Sequence, residues 1–242
     1  MLQIEDIQRH LAHVEEALKR GIYLWLGWTN YAAIPLYVRL FGPQVGIVQL
    51  TRHPVTNSAS LLTHNFYIDG PRHDAYTDLA ILDPSCAGVI QRGYAEIWSG
   101  LSPFERCLFT WTESSLYAEE LRQRLSGTDF LQVRMENLLG SDDLSLKELT
   151  SFLGLPFRGE LALSKGKVVD RYRKQTHVSF DWKQIYDHPN AVEVALRLGY
   201  DIEAVDELAI KKRYSQPAWQ RPLRMGFRLL PRRLQSWIRK KL

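Results

Sequence analysis

The stretch Val45-Gly46-Ile47-Val48-Gln49-Leu50-Thr51-Arg52-His53-Pro54, continued by Val55-Thr56-Asn57-Ser58-Ala59-Ser60-Leu61-Leu62, decides the fold. An apolar, β-branched run ends at an arginine, a proline opens the next segment, and a serine stands eight residues beyond the arginine. Such a run reads as a buried parallel strand. Pro54 suits the first turn of a helix, where its missing N–H removes a donor that would lack an intrahelical partner anyway. Arg52 then falls at the C-terminal end of a strand, and Ser60 about two turns into the helix. Open α/β sheets collect ligands at that edge. A guanidinium and a hydroxyl converging there suit a phosphate or sulfate group. Taken alone, the motif also fits an ordinary strand–loop–helix with a surface arginine.

Upstream, Ile4, Ile7, Leu11, Val14 and Leu18 recur at spacings of 3, 4, 3 and 4, one stripe of a helix that Gly21 stops. Ile22 to Gly27 reads as a strand, and Asn30 as the cap of a helix over 31–41 that ends at Gly42-Pro43. Downstream, a helix covers 55–67 and a polar loop 68–83. Helices follow over 85–99 and 103–126, then a third strand over 129–134 and a helix from Leu144 to Leu153. Residues 158–181 are irregular and basic, and short helices over 190–198 and 203–211 flank Gly199-Tyr200-Asp201. Strands separated by helices imply a parallel sheet with helices on its faces.

Apolar content of 45% and charge of 24% belong to an ordinary globular chain, so neither a disordered nor a fibrous protein is in view. Cys86 and Cys107 form no disulfide framework or zinc pattern and are expected to sit reduced in packed helices. The start, Met-Leu-Gln-Ile-Glu-Asp, lacks a signal peptide's basic and apolar regions, and no apolar run is long enough to span a bilayer. A cytoplasmic location is expected. A P-loop kinase is excluded by the absence of G-x-x-x-x-G-K-[ST].

The Arg52–Ser60 arrangement resembles the 3′-phosphate-binding segment of PAPS-dependent sulfotransferases, in which a strand ends in Arg-x-Pro or a close variant and a Ser follows eight residues later. Phe130-Leu131-Gln132-Val133-Arg134-Met135-Glu136-Asn137-Leu138-Leu139 is similar to that family's later L-x-Y-E-D-L strand. Leu146 to Phe157, ending Phe152-Leu153-Gly154-Leu155-Pro156-Phe157, is similar to its F-L-G-L-P-F helix end. Tyr94-Ala95-Glu96-Ile97-Trp98 and Cys107-Leu108-Phe109-Thr110-Trp111 match its aromatic helices. The likeness runs over about residues 22–200. It implies a P-loop-type α/β fold, PAPS as sulfuryl donor with no metal, and Arg52 and Ser60 on the 3′-phosphate. Arg173-Lys174-Gln175 resembles the late Arg-Lys-Gly segment that folds over the same phosphate. A solvated basic loop fits those residues as well.

The pattern departs from the family at several points. The family's G-x-x-[RK]-[ST]-G-T-[ST] loop cradles the 5′-phosphosulfate in backbone N–H groups. Residues 1–21 hold Gly only at position 21, so the fold is expected to lack its first strand and that loop unless the true start lies upstream of Met1. Trp28 and Asn30 stand where one branch has Lys-x-His; Trp carries no charge, and Asn is no base near neutral pH. Met135 replaces the tyrosine of Y-E-D. Glu136 reads as support for the strand end, His53 as a variant of the family's Asp or Asn, and His177 as a structural or exposed residue. No catalytic residue is assigned.

The tail carries its own signal. Residues 215–242 hold Arg221, Arg224, Arg228, Arg232, Arg233, Arg239, Lys240 and Lys241 and no acid, a charge of +8 against +4 for the whole chain, which leaves −4 over residues 1–214. Leu234, Trp237 and Ile238 share one side of the stretch after Pro231, and Pro222 and Pro231 interrupt the rest. A basic amphipathic segment with tryptophan reads as a peripheral anchor on an anionic membrane surface. Docking on its own domain is the other reading. Nucleic acid is disfavoured because the basic residues are confined to a tail. The expected organisation is therefore a partial sulfotransferase-like domain over 1–214 and a basic tail over 215–242. Its expected activity is transfer of a sulfuryl group from PAPS to a hydroxyl of a carbohydrate or lipid-linked acceptor. The alternative is an inactive remnant serving as a nucleotide-binding or protein-interaction module.

Overall fold

The computed structural model describes residues 4–27, 33–64, 66–68, 81–125, 127–160 and 179–214. These fall into two units, one up to Val45 and one from Gly46 onward. The tail expected over 215–242 lies outside the described residues.

The first unit holds helix α1 (Ile4–Leu18) and helix α2 (Ile34–Phe41), which starts with Pro35 in its first turn and stops at Gly42, φ 57°. Val14 of the α1 stripe is buried. The strand expected over Ile22–Gly27 does not form. A strand needs a neighbour for its N–H and C=O groups, and among the described residues only two other segments pair. Tyr23 and Trp25 instead turn onto the helices. The Trp25 ring lies 4.9 Å from His10 and 4.8 Å from Tyr37, and Tyr23 lies 6.2 Å from His10. The alternate side chains Ile22, Leu24 and Leu26 are left exposed.

The second unit is mixed α/β. Strand β1 (Gly46–Thr51) pairs in parallel with β2 (Asp129–Arg134), from Gly46 opposite Asp129 to Thr51 opposite Arg134. Helix α3 (Pro54–Thr63) follows β1 directly, and α4 (Pro103–Arg124) leads to β2. After β2 come α5 (Met135–Leu139), α6 (Leu144–Phe152), α7 (Pro189–Arg197) and α8 (Glu207–Tyr214). Gly46 opens β1 where Phe152 of α6 crosses it; a Cβ at that position would lie 3.1 Å from the Phe152 ring.

The core gathers Val55 and Leu62 from α3, Phe104, Cys107, Leu108 and Trp111 from α4, and Ala191, Val194 and Ala195 from α7. Each large apolar side chain so buried stabilises by about 1.5–3 kcal/mol. Burial around the whole circumference of α4 includes Thr112 and Ser115. Their hydroxyls donate to the carbonyls of Leu108 and Trp111 one turn back, at 2.9 Å each. Cys107 is fully buried, which pushes its thiol well above the usual range. Cys86 sits in a turn, not in the packed helix expected for it.

Two other elements differ from expectation. The helix over 85–99 is replaced by turns and short 3₁₀ segments at Arg92–Glu96 and Trp98–Gly100. Buried Glu113 of α4 takes the backbone N–H groups of Ile90 and Gln91, at 2.5 and 3.1 Å, that a helical ladder would have used. Gly88 adds a left-handed turn, φ 84°. Helix α3 stops at Thr63, four residues short of Tyr67. Tyr67 adopts φ 57°, and its hydroxyl bonds the Leu82 carbonyl and lies 2.6 Å from Thr110 Oγ1.

The start of α4 is tied to two other segments. Ser102 and Glu105 form a reciprocal capping box, with Ser102 N–H donating to Glu105 Oε2 at 2.7 Å. Glu105 Oε1 lies 3.1 Å from Nε2 of buried His188, whose Nδ1 lies 2.9 Å from the Tyr94 hydroxyl. Nε2 therefore donates to the Glu105 carboxylate, and Nδ1 shares a hydrogen bond with the Tyr94 hydroxyl. Burial alone would raise the Glu105 pKa, but the bonds from Ser102 and His188 together hold it below the usual glutamate value. A lowered carboxylate pKa gives stability that is complete above the unfolded value and is lost as pH falls through the folded one. Glu105→Ala is expected to cost about 2 kcal/mol at neutral pH. In urea titrations the gap from the native chain should shrink below about pH 4.3, where unfolded glutamate protonates. A gap independent of pH would show that the ionised carboxylate is not what holds the junction.

Candidate functional site at the end of the sheet

At the C-terminal edge of the sheet, the backbone around Arg52 is held from both sides. Its carbonyl accepts the Trp111 indole N–H at 2.9 Å. The next N–H, that of His53, donates to Glu136 Oε1 at 2.8 Å. Glu136 Oε2 accepts from the Tyr200 hydroxyl at 3.3 Å, and that hydroxyl lies 2.9 Å from Thr51 Oγ1. Glu136 thus ties the start of α5 to the end of β1, the strand-end support expected of it. Burial first, and the Glu136 carboxylate beside it, push the Tyr200 phenol up, so it stays a donor at neutral pH.

His53 is fully used by the fold. Its Nδ1 accepts the Val55 N–H at 3.3 Å, capping α3, and Nε2 faces the Asp201 carbonyl at 3.2 Å. This fixes the tautomer with the proton on Nε2. Burial pushes its pKa down, opposed by the Asp201 carbonyl. With both nitrogens engaged, the ring is a positioning element and not a free base.

The two arginines of the edge have different fates. Arg134 donates to the Gly199 carbonyl, and its guanidinium lies 5.8 Å from the Tyr200 ring centroid. Gly199 has φ 77°, and a Cβ there would come within 3.3 Å of Arg134 Nη1. Arg52 Nη2 donates to the Tyr214 hydroxyl of α8 at 2.7 Å. That partner is neutral. Among the described residues no carboxylate pairs with Arg52, so a half-buried cation stands at the sheet edge without a counter-charge.

Ser60 lies half-buried on α3, one turn beyond Thr56, whose hydroxyl donates to the His53 carbonyl at 3.1 Å. Thr56, Ser60 and Thr63 share the half-exposed side, while Val55, Ser58, Ala59 and Leu62 face the core. Ser60 therefore shares the half-exposed side of α3 with Thr56. Arg173 and Lys174 lie outside the described residues, as do Trp28, Asn30 and His177. Among the described residues, no cluster of three or more His, Cys, Asp or Glu is placed to hold a metal ion. No helix among them is long and apolar enough to cross a membrane.

No known protein family, curated protein or solved structure matches this chain. The site therefore rests on its own chemistry: a preorganised arginine at a strand end, a helix N-terminus beginning at Pro54, and hydroxyls on the adjoining helix face. Trp111, Tyr200 and Tyr214 were not singled out as site residues from sequence. Trp111 falls inside the aromatic run Cys107–Trp111 and Tyr200 between Gly199 and Asp201, signals that marked packing and a turn but no role.

Proposed function

We propose that this chain is a sulfotransferase-related nucleotide-binding domain whose Arg52, with Ser60, takes the 3′-phosphate of PAPS or its product PAP. The guanidinium of Arg52, paired with no carboxylate among the described residues at the C-terminal edge of a parallel sheet, carries this reading. A phosphate there would gain a charge-assisted bond from a group whose backbone is already fixed. The order of β1, α3, α4, β2 and α6 supports it, while Tyr94–Trp98 lies in 3₁₀ turns and not in the helix that the resemblance implies. Arg173 and Lys174 would close over the same phosphate. PAPS would supply an activated sulfuryl group, and a hydroxyl of a carbohydrate or lipid-linked molecule would accept it.

A second reading, a nucleotide-binding or protein-interaction module without turnover, is favoured by a separate observation. His53 and Glu136, the ionisable groups nearest Arg52 along the two strand ends, are both engaged in holding backbone. Neither is free to take a proton from an acceptor.

Calorimetric titration separates these readings from a plain surface arginine. PAP is expected to bind at least about tenfold more tightly than 5′-AMP, since the 3′-phosphate adds a charge-assisted contact. Equal affinities for the two nucleotides would refute the 3′-phosphate assignment. Transfer of labelled sulfate from PAPS to sugars, phenols or lipids would then decide for the enzyme. PAP binding without transfer would decide for the module.

A further inference from the structure

Helix α8 (Glu207–Tyr214) reaches the candidate site through its last described residue. It packs against α3, the helix that carries Ser60. Asp206 Oδ1 accepts the Ala209 N–H at 2.8 Å and so caps its start. Ile210 is buried and joins the core with Val55 and Leu62, whereas Leu208 is exposed. Tyr214 packs half-buried against the same core, and its hydroxyl accepts from Arg52 Nη2 at 2.7 Å. Both bidentate edges of a guanidinium, Nε with Nη2 and Nη1 with Nη2, include Nη2. The phenol therefore holds the nitrogen that any two-point grip on a phosphate would use. It is a neutral acceptor, and a phosphate dianion in its place would be bound more strongly.

We propose, resting on the 3′-phosphate reading of Arg52, that the Arg52–Tyr214 bond is a latch. An anion that takes the guanidinium displaces the Tyr214 hydroxyl and frees the last turn of α8. Without ligand the latch holds α8 down and keeps Arg52 in place at the sheet edge. With ligand, α8 remains anchored by Ile210 and its Asp206 cap while its far end opens. The phosphate supplies the differential interaction that such a shift requires, because it binds the guanidinium only when the phenol has left. Coupling of this kind is reciprocal. Whatever loosens the latch tightens anion binding by the same factor.

Two measurements on the full chain test it. Calorimetric titration should show PAP binding about three- to tenfold more tightly to Tyr214→Phe than to the native chain, because one hydrogen bond no longer has to be broken. Phe keeps the ring packed on the core, so this variant should fold. Hydrogen–deuterium exchange should find the amides of the last turn of α8 faster in the native chain saturated with PAP. The same amides should exchange faster in ligand-free Tyr214→Phe and Arg52→Ala, since each removes the same bond. Weaker PAP binding by Tyr214→Phe would overturn the latch and make the phenol a donor to the phosphate. In a chain that binds PAP, unchanged affinity in Tyr214→Phe would overturn it too, as would α8 exchange that PAP slows or leaves alone. A native chain that does not bind PAP, with faster α8 exchange in both variants, would sink the 3′-phosphate reading while supporting the latch contact itself.

Discussion

Arg52→Ala should weaken PAP binding by roughly 10- to 150-fold, the loss of one charge-assisted contact worth about 1.5–3 kcal/mol. The substitution is well placed for such a test. The guanidinium bonds only a neutral phenol, that of Tyr214, among the described partners, and its removal leaves no buried carboxylate unpaired. The backbone of residue 52 keeps its Trp111 bond, and the following N–H keeps Glu136, so the local fold should survive. Arg134→Ala makes the contrast. Its guanidinium is spent on the Gly199 carbonyl and the Tyr200 ring, so its loss should lower stability more than affinity. Titration of both folded variants with PAP would check this. Unchanged affinity in Arg52→Ala would remove the anion from this edge of the sheet.

What could be read from sequence follows from the range of the forces involved. The Arg52 strand, the helix capped by Ser102 and Pro103, and the strand ending at Arg134 were all legible because local pattern decides them. β-branched runs, a capping box and a proline in the first turn act within a few residues. Ile22–Gly27 has a strand's composition but finds no pairing partner among the described residues, and pairing is not a local property. Residues 85–99 have a helix's composition, yet Glu113, 23 residues beyond Ile90, captures their N–H groups. The site divides in the same way. Arg52 and Glu136 were visible as ends of strands. Their partners Trp111, Tyr200 and Tyr214 are 59, 64 and 162 residues away from the groups they hold, and only the fold brings them there.

Trp111 carries the largest effect expected of any single residue in this unit, because core and site meet in its side chain. Its ring is buried and packs in the same cluster as Val55, Leu62 and Leu108, while its N–H reaches out to the Arg52 carbonyl. Trp111→Ala should cost about 3–5 kcal/mol, the range for emptying a buried aromatic site. In a chain of this size that is a fall in melting temperature of roughly 6–20 °C. Trp111→Phe separates the two roles. It keeps most of the apolar burial but leaves the Arg52 carbonyl without its donor, which should cost about 1–2 kcal/mol. If the indole N–H positions Arg52, the Phe variant should also lose PAP affinity at concentrations of urea where it is fully folded. Paired urea and calorimetric titrations would show both changes. A Phe variant that loses stability yet binds PAP like the native chain would mean that Trp111 only fills space, and that Glu136 alone orients the arginine through the His53 N–H.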